Sequence, residues 1–469
     1  MKPSKLHWIF LGVIISVIYV TMYYDDNLGI MVSAAALCDS VKSNGIIGLI
    51  EGANLPYGLL LQWLCALWVL PAYLIHITTG IEYDIMPMEL YFKVFELIFL
   101  FLAVRTLIKI ISEVRKDDTK SGWAGYYFLS SLLVVLPVVY VAQVDIIYIW
   151  MMLSGIYYYL KDDRKKFLIC FFLAIPMKYF PAVFFIPLVL LHEKRIIHIA
   201  KELFIGCSGV IIDKVLSVFR YNAEQSQQFR QNIINSTAGI ASDGSTQVIS
   251  GTVTNMILSR ANIFCVIFVL ICVWAVLQNE DKDSRQFRSN TTWMMIAAAF
   301  DMFILLPITP YWIVILAPFL IIGIFTFERF GWIDFAFEFI ITICYIYIYT
   351  IDMPWVFGSC HIFDRLILSV VPLFANRKAA MRSSGPAEIN IVEIMKPHGI
   401  TSFTGIAAAV VVGCAIAMLV LNYPYAKIRE NLLKKDMTPK QLRITADLRV
   451  AVIYVWYAVM FMAAYRIII

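Results

Sequence analysis

From His7 onward the chain alternates long apolar runs with short polar links. Most runs are apolar on every face rather than along one stripe, the pattern of a helix surrounded by lipid or buried in a bundle. A helix rises about 1.5 Å per residue, so roughly 20 apolar residues cross a bilayer. Runs near 7–23, 89–111, 123–141, 146–160 and 199–219 meet or approach that length, as do those near 261–277, 291–307, 311–326, 333–350, 403–421 and 449–468. The segment 167–191 carries PMKYFP at its middle and predicts two short helices in a hairpin, with Lys178 at its outer tip. The pattern predicts an all-α, polytopic transmembrane bundle of about 13 helices.

Charge sets the expected orientation. Lys2 and Lys5 precede the first run, which reads as a signal anchor with its N-terminus inside. The segment 24–88 is then a long outer loop whose one Lys or Arg is Lys42. Within it, 56–77 is long enough to cross. Crossing would carry Arg115, Lys116 and Lys120 outside, against the positive-inside tendency. Pro56, Gly58 and Pro71 suit a broken, amphipathic juxtamembrane helix instead. Basic links at 113–122, 161–166 and 192–195 fall inside on this scheme. The polar loop 220–260, rich in Gln, Asn, Ser and Gly, falls outside and is expected to be flexible. Seven Lys and Arg in 423–449, against four in 376–400, put the former inside, so 361–375 is interfacial and the C-terminus outside. The expected division is a catalytic module over 1–350 and a C-terminal membrane segment over 351–469.

Composition agrees. The 469 residues are 61% hydrophobic and 15% charged, with mean hydropathy +0.78; a water-soluble domain has about a quarter charged residues. The net charge of +5 comes from short links between runs and is no nucleic-acid signature. Of nine cysteines, seven lie inside apolar runs and read as packing residues. The histidines show no metal-ligand spacing, and no nucleotide-binding loop or hydrolase motif is present. No metal and no cofactor is expected.

Four positions, in three places, stand out chemically. Asp25 and Asp26 follow Tyr23 and Tyr24 where the first span ends, with Asp25 nearer the span. A carboxylate there can act as a general base toward a hydroxyl, or it is simply solvated. Asp145, in PVVYVAQVDIIYIW, has only Gln143 as a polar neighbour. An ionisable group among apolar spans marks a functional site by default, although a tight turn must also sit somewhere. Lys178, between Pro176 and Pro181, can pair with a phosphate or reach the interface as an amphipathic side chain. Arg220, Arg230, Lys214 with Asp213, Tyr311, Glu96, Arg105 and Asp301 are weaker candidates.

The order of these pieces resembles the GT-C class of integral-membrane glycosyltransferases, which take sugars from polyprenyl- or dolichyl-phosphate carriers on the outer or lumenal face. AIPMKYFPAVFFIPLVLL is similar to the Lys-x-x-Pro hairpin of bacterial polyprenol-phosphate-mannose-dependent transferases, and to the matching stretch of the eukaryotic first mannosyltransferase of GPI assembly. LCALWVLPAYLI, AQVDIIYIW and ITPYWIVILAPFLI extend the likeness, in scattered pieces over roughly 20–325, to membrane proteins of Gram-positive bacteria placed near this class. The resemblance implies a multi-pass cell-membrane hexosyltransferase with its active site on the extracytoplasmic face. Its partners would be membrane lipid, a polyprenyl-phosphate sugar donor and a glycan, glycolipid or protein acceptor. It also implies Asp25, Asp26 and Asp145 as catalytic residues, and Lys178, Tyr179, Gln143, Arg220 and Tyr311 as substrate-binding residues. Two departures matter: Asp25-Asp26 replaces an Asp-x-Asp, leaving the choice of base open with Asp25, nearer the span end, favoured, and the second outer turn offers only Asp145. The alternatives are a transporter or flippase for a lipid-linked or small solute, and a non-catalytic envelope scaffold.

Overall fold

The computed structural model describes all residues except 1, 23, 84–85, 117–119, 218–259, 283, 307–308, 328–330, 358, 361–388, 425–436 and 465–469. Arg220, Arg230, the loop 220–260 and the segment 361–375 therefore lie wholly or almost wholly outside the described residues. The described chain is helical apart from a two-residue antiparallel pairing, Ser359–Cys360 with Ile389–Asn390. Six described helices are long and apolar enough to cross a membrane, or seven if one bent pair counts as a span. They make the protein a helical membrane protein.

Sixteen helices are used below. They are α1 (Lys5–Thr21), α2 (Asp25–Asn44), α3 (Leu59–Thr79), α4 (Met86–Arg115), α5 (Ser121–Leu129), α6 (Leu132–Tyr140), α7 (Asp145–Leu160) and α8 (Arg164–Met177). There follow α9 (Pro181–His192), α10 (Ile196–Ser217), α11 (Arg260–Leu277), α12 (Arg285–Leu305), α13 (Pro310–Thr326), α14 (Gly331–Asp352), α15 (Thr404–Leu421) and α16 (Pro439–Ala464). The segment 24–88, expected as a loop with one juxtamembrane helix, is helical over most of its length. Helix starts at Asp25 and, with short 3-10 and helical turns, continues to Glu51; α3 follows after seven residues. Both stretches pass the length and hydropathy requirement for crossing. Alanines 34–36 within α2 explain the extra helix, because alanine has the highest helix propensity.

The chain forms two compact units. The first comprises 1–28, 84–150 and 309–469, and the second 29–83 and 151–308.

In the first unit, α5 and α6 form the bent pair, with 59° between them. The break falls at Ser130-Ser131, and Arg449 of α16 holds it. Its guanidinium donates to Tyr127 O at 2.9 Å and Ser130 Oγ at 3.3 Å. It also makes a two-armed contact with Glu338 of α14, one arm at 3.1 Å. The carbonyls freed at a helix end need such donors. The last six residues of α6, Val135–Tyr140, wind as a π-helix. Pro137 lies inside it: proline has no N–H to give and clashes with the carbonyl four residues back, so a wider turn relieves both faults. In the same unit α15, rich in alanine, packs along α14, and Asn422 donates to Asp334 at 2.7 Å.

In the second unit, α8 and α9 form the expected hairpin with Lys178 in the break. Gly209 of α10 lets that helix lie against α8; a Cβ there would meet Phe172 O at 2.3 Å. Gly58 is tighter still. A Cβ would lie 1.9 Å from Pro176 O, while its own N–H donates to Met177 O at 3.2 Å. The α3 start is completed by Asp213, which accepts from Leu59 N at 2.7 Å.

Candidate functional site

The end of α1 is built first. A helix leaves its last four carbonyls without partners and carries partial negative charge there. Lys93, buried on α4, answers both: its ammonium donates to Tyr19 O and Met22 O, each at 2.8 Å. Tyr19 returns a bond from its hydroxyl to Leu90 O at 2.5 Å. The chain leaving α1 is thereby tied to α4 just before the aspartates.

Asp25 and Asp26 open α2, where the helix dipole favours negative charge. Asp25 is fixed here only as a helix position. Asp26 is half-buried and accepts from Gln143 Nε2 at 2.6 Å. Asn27 is buried and donates to Ala142 O at 2.9 Å and to Glu96 Oε1 at 3.2 Å.

The turn that presents Gln143 comes directly out of the π-helix. Val141 N still bonds to Leu136 O at 2.9 Å, and Gln143 N bonds to Pro137 O at 3.0 Å. Between them Ala142 adopts φ +53°, the left-handed region that a residue with a Cβ occupies at a cost. That reversal lets the Ala142 carbonyl and the Gln143 side chain meet Asn27 and Asp26 respectively. Gln143 is fully buried, and its Oε1 accepts no hydrogen bond among the described residues.

Asp145 begins α7 two residues later and is fully buried. It sits at the positive end of that helix's dipole. Tyr311, half-buried near the start of α13, lies within electrostatic reach of Asp26, Asp145 and Tyr24. Tyr24 makes an edge-on contact with Tyr140, and Tyr140 a tilted one with Trp456, at centroid distances of 6.1 and 5.8 Å. Carboxylates, an amide, a phenol and aromatic edges together suit a polyhydroxylated ligand, whose hydroxyls need acceptors and whose C–H faces need rings.

Lys178 and Tyr179 lie in the second unit. The Lys178 ammonium sits 4.8 Å from the Tyr57 ring centroid and 5.6 Å from that of Phe180, while Lys214 sits 5.5 Å from that of Tyr179. Two cations held over rings at a broken helix have the character of an anion-binding surface. Asp301 on α12 is buried, and neither carboxylate oxygen has a hydrogen-bond partner among the described residues. Among the described residues, no group of three or more His, Cys, Asp and Glu converges as metal ligands would.

The structure thus brings Asp26, Gln143, Asp145 and Tyr311 into one unit and puts Lys178 and Tyr179 in the other. Lys93 and Asn27 do not stand out in the sequence, and Glu96 does so only as a weaker candidate. The signal available was a Lys-x-x-Glu pair inside an otherwise apolar run. Comparison with known proteins finds no matching family model and no matching curated relative.

Proposed function

We propose that the protein is an integral-membrane glycosyltransferase that moves a hexose from a polyprenyl-phosphate carrier to an envelope acceptor at the extracytoplasmic face. The observation that carries this reading is the Asp26 carboxylate, half-buried and oriented by Gln143, in the same unit as Asp145 and Tyr311. A general base must be held within hydrogen-bond reach of the hydroxyl it deprotonates. With one oxygen of Asp26 engaged by Gln143, the carboxylate has a fixed direction for that task. The acceptor hydroxyl gives its proton to Asp26 as its oxygen attacks the anomeric carbon. The bond from that carbon to the phosphate oxygen breaks, and the polyprenyl phosphate leaves with the electron pair. The reaction inverts the anomeric centre. Lys178, in the second unit, has the chemistry of a point charge that binds a phosphate. Asp25 remains the alternative base.

The test is transfer of labelled mannose from polyprenyl-phosphate mannose in membranes carrying the full chain. Asp26→Asn should abolish transfer while the protein still inserts, and Lys178→Met should raise the donor KM. Full activity in both Asp25→Asn and Asp26→Asn would remove the base assignment.

A second reading, proton-coupled transport, draws on Asp301, because a buried carboxyl in a membrane protein, with neither oxygen hydrogen-bonded among the described residues, is a usual mark of a proton relay. Flux of a lipid-linked sugar across vesicles without loss of the sugar, abolished by Asp301→Asn, would favour it.

A further inference from the structure

We infer that Glu96 and Lys93, on one face of α4, are positioning residues for the Asp26 carboxylate. This rests on the reading of Asp26 as the reacting group. Two pairs of adjacent residues, Asp26-Asn27 and Ala142-Gln143, are cross-linked by two hydrogen bonds, 26 to 143 and 27 to 142. The ring that results is tied to α4 through Asn27, whose amide also donates to Glu96. Glu96 is fully buried, and its Oε2 has no hydrogen-bond partner among the described residues. One turn away, Lys93 ties down the carbonyl end of α1. The two side chains therefore clamp both sides of the short link that carries the chain from α1 into Asp25 and Asp26.

Three contacts follow from one helix face: Lys93 fixes where α1 stops, Glu96 fixes Asn27, and Asn27 fixes the turn that delivers Gln143 to Asp26. None of them needs to touch substrate. Removing the Glu96 acceptor leaves the Asn27 amide held by its bond to Ala142 O alone, which loosens the Ala142 turn, so the Asp26–Gln143 bond lengthens. A small displacement of a reacting group costs rate rather than binding.

The experiment reads the carboxylate directly. Infrared difference spectra of the full-length protein in lipid vesicles, native minus Asp26→Asn, isolate the Asp26 carboxylate band. The same difference taken in a Glu96→Leu background should show the band displaced, and in a Glu96→Gln background, which keeps an acceptor for Asn27, returned to its native place. In parallel, release of polyprenyl phosphate from polyprenyl-phosphate mannose should fall on the order of 10- to 100-fold in Glu96→Leu at unchanged KM, and recover in Glu96→Gln. Native-like thermal unfolding in detergent qualifies each variant; if Glu96→Leu does not fold, Asn27→Ala carries the same comparison. An Asp26 band unmoved in a folded variant overturns the positioning role. A displaced band in a protein whose native form never consumes the donor overturns the transferase reading and leaves the positioning role intact.

Discussion

Gln143 donates its side-chain amide to Asp26 at 2.6 Å across 117 residues of sequence. Gln143 is fully buried, so Asp26 is the partner that balances the burial of its amide. A hydrogen bond to a charged group contributes about 1.5–3 kcal/mol, and more is lost when one partner is left unsatisfied. Gln143→Leu should therefore destabilise the first unit by about 2 kcal/mol and reduce transfer more than it reduces folding. Thermal unfolding and donor turnover measured on the same preparation separate the two; equal losses in both would mean the bond is only structural.

Ala142 makes the opposite prediction. Its φ of +53° costs an L-residue about 1–2 kcal/mol, which glycine does not incur. Ala142→Gly should be neutral or stabilising, its gain reduced by the greater freedom of glycine in the unfolded chain. Ala142→Val should be destabilising, because a β-branched residue in this region is an outlier. Unfolding midpoints in detergent rank the three; a Val variant as stable as native would place the strain elsewhere.

The Arg449–Glu338 pair holds the break between α5 and α6 and is almost wholly buried. Breaking such a pair from one side leaves an uncompensated charge, at about 3–5 kcal/mol, whereas replacing both partners with apolar groups is often neutral. Arg449→Met alone and Glu338→Leu alone should each lower yield and stability severely. The double variant should recover most of the loss, although Tyr127 O and Ser130 still lose their donor. A double variant as poor as the singles would show that those two contacts, rather than charge pairing, dominate.

Glu193 gives a pH dependence in the link after α9. The backbone N–H groups of Arg195 and Lys194 point at its carboxylate, at 3.0 and 2.9 Å, and with the Arg195 side chain hold its pKa down to about 2. A depressed carboxylate stabilises the folded state fully above the ordinary glutamate range. That stabilisation is lost as pH falls from there toward 2. Glu193→Gln should unfold earlier than native at pH 6, with the gap closing on acidification. A gap that stays constant from pH 6 to pH 3 would assign the effect to packing.

Local chemistry wrote much of this fold into the sequence. The apolar runs had to become helices, because a backbone without water bonds to itself. Prolines 176 and 181 marked the break at Lys178, since proline disrupts a helix interior and restricts the residue before it. Apolar length alone did not show that 24–88 is mainly helical; there a charge rule about loops outweighed the helix-forming alanines of α2. The bend at Ser130-Ser131 was equally hidden. Its donor, Arg449, comes from the last helix, more than 300 residues away.

The site divides the same way. Asp25, Asp26, Asp145 and Lys178 were legible as ionisable groups beside apolar spans, a cost that sequence alone reveals. Their pairings were not. Lys93, Glu96 and Asn27 act through bonds between helices, and the direction of the Gln143 side chain depends on a π-turn and a left-handed alanine. Sequence determined which groups are expensive to bury; only the tertiary structure decided which polar atoms would meet them, because hydrogen bonds are satisfied by distance and angle in space and not by spacing along the chain.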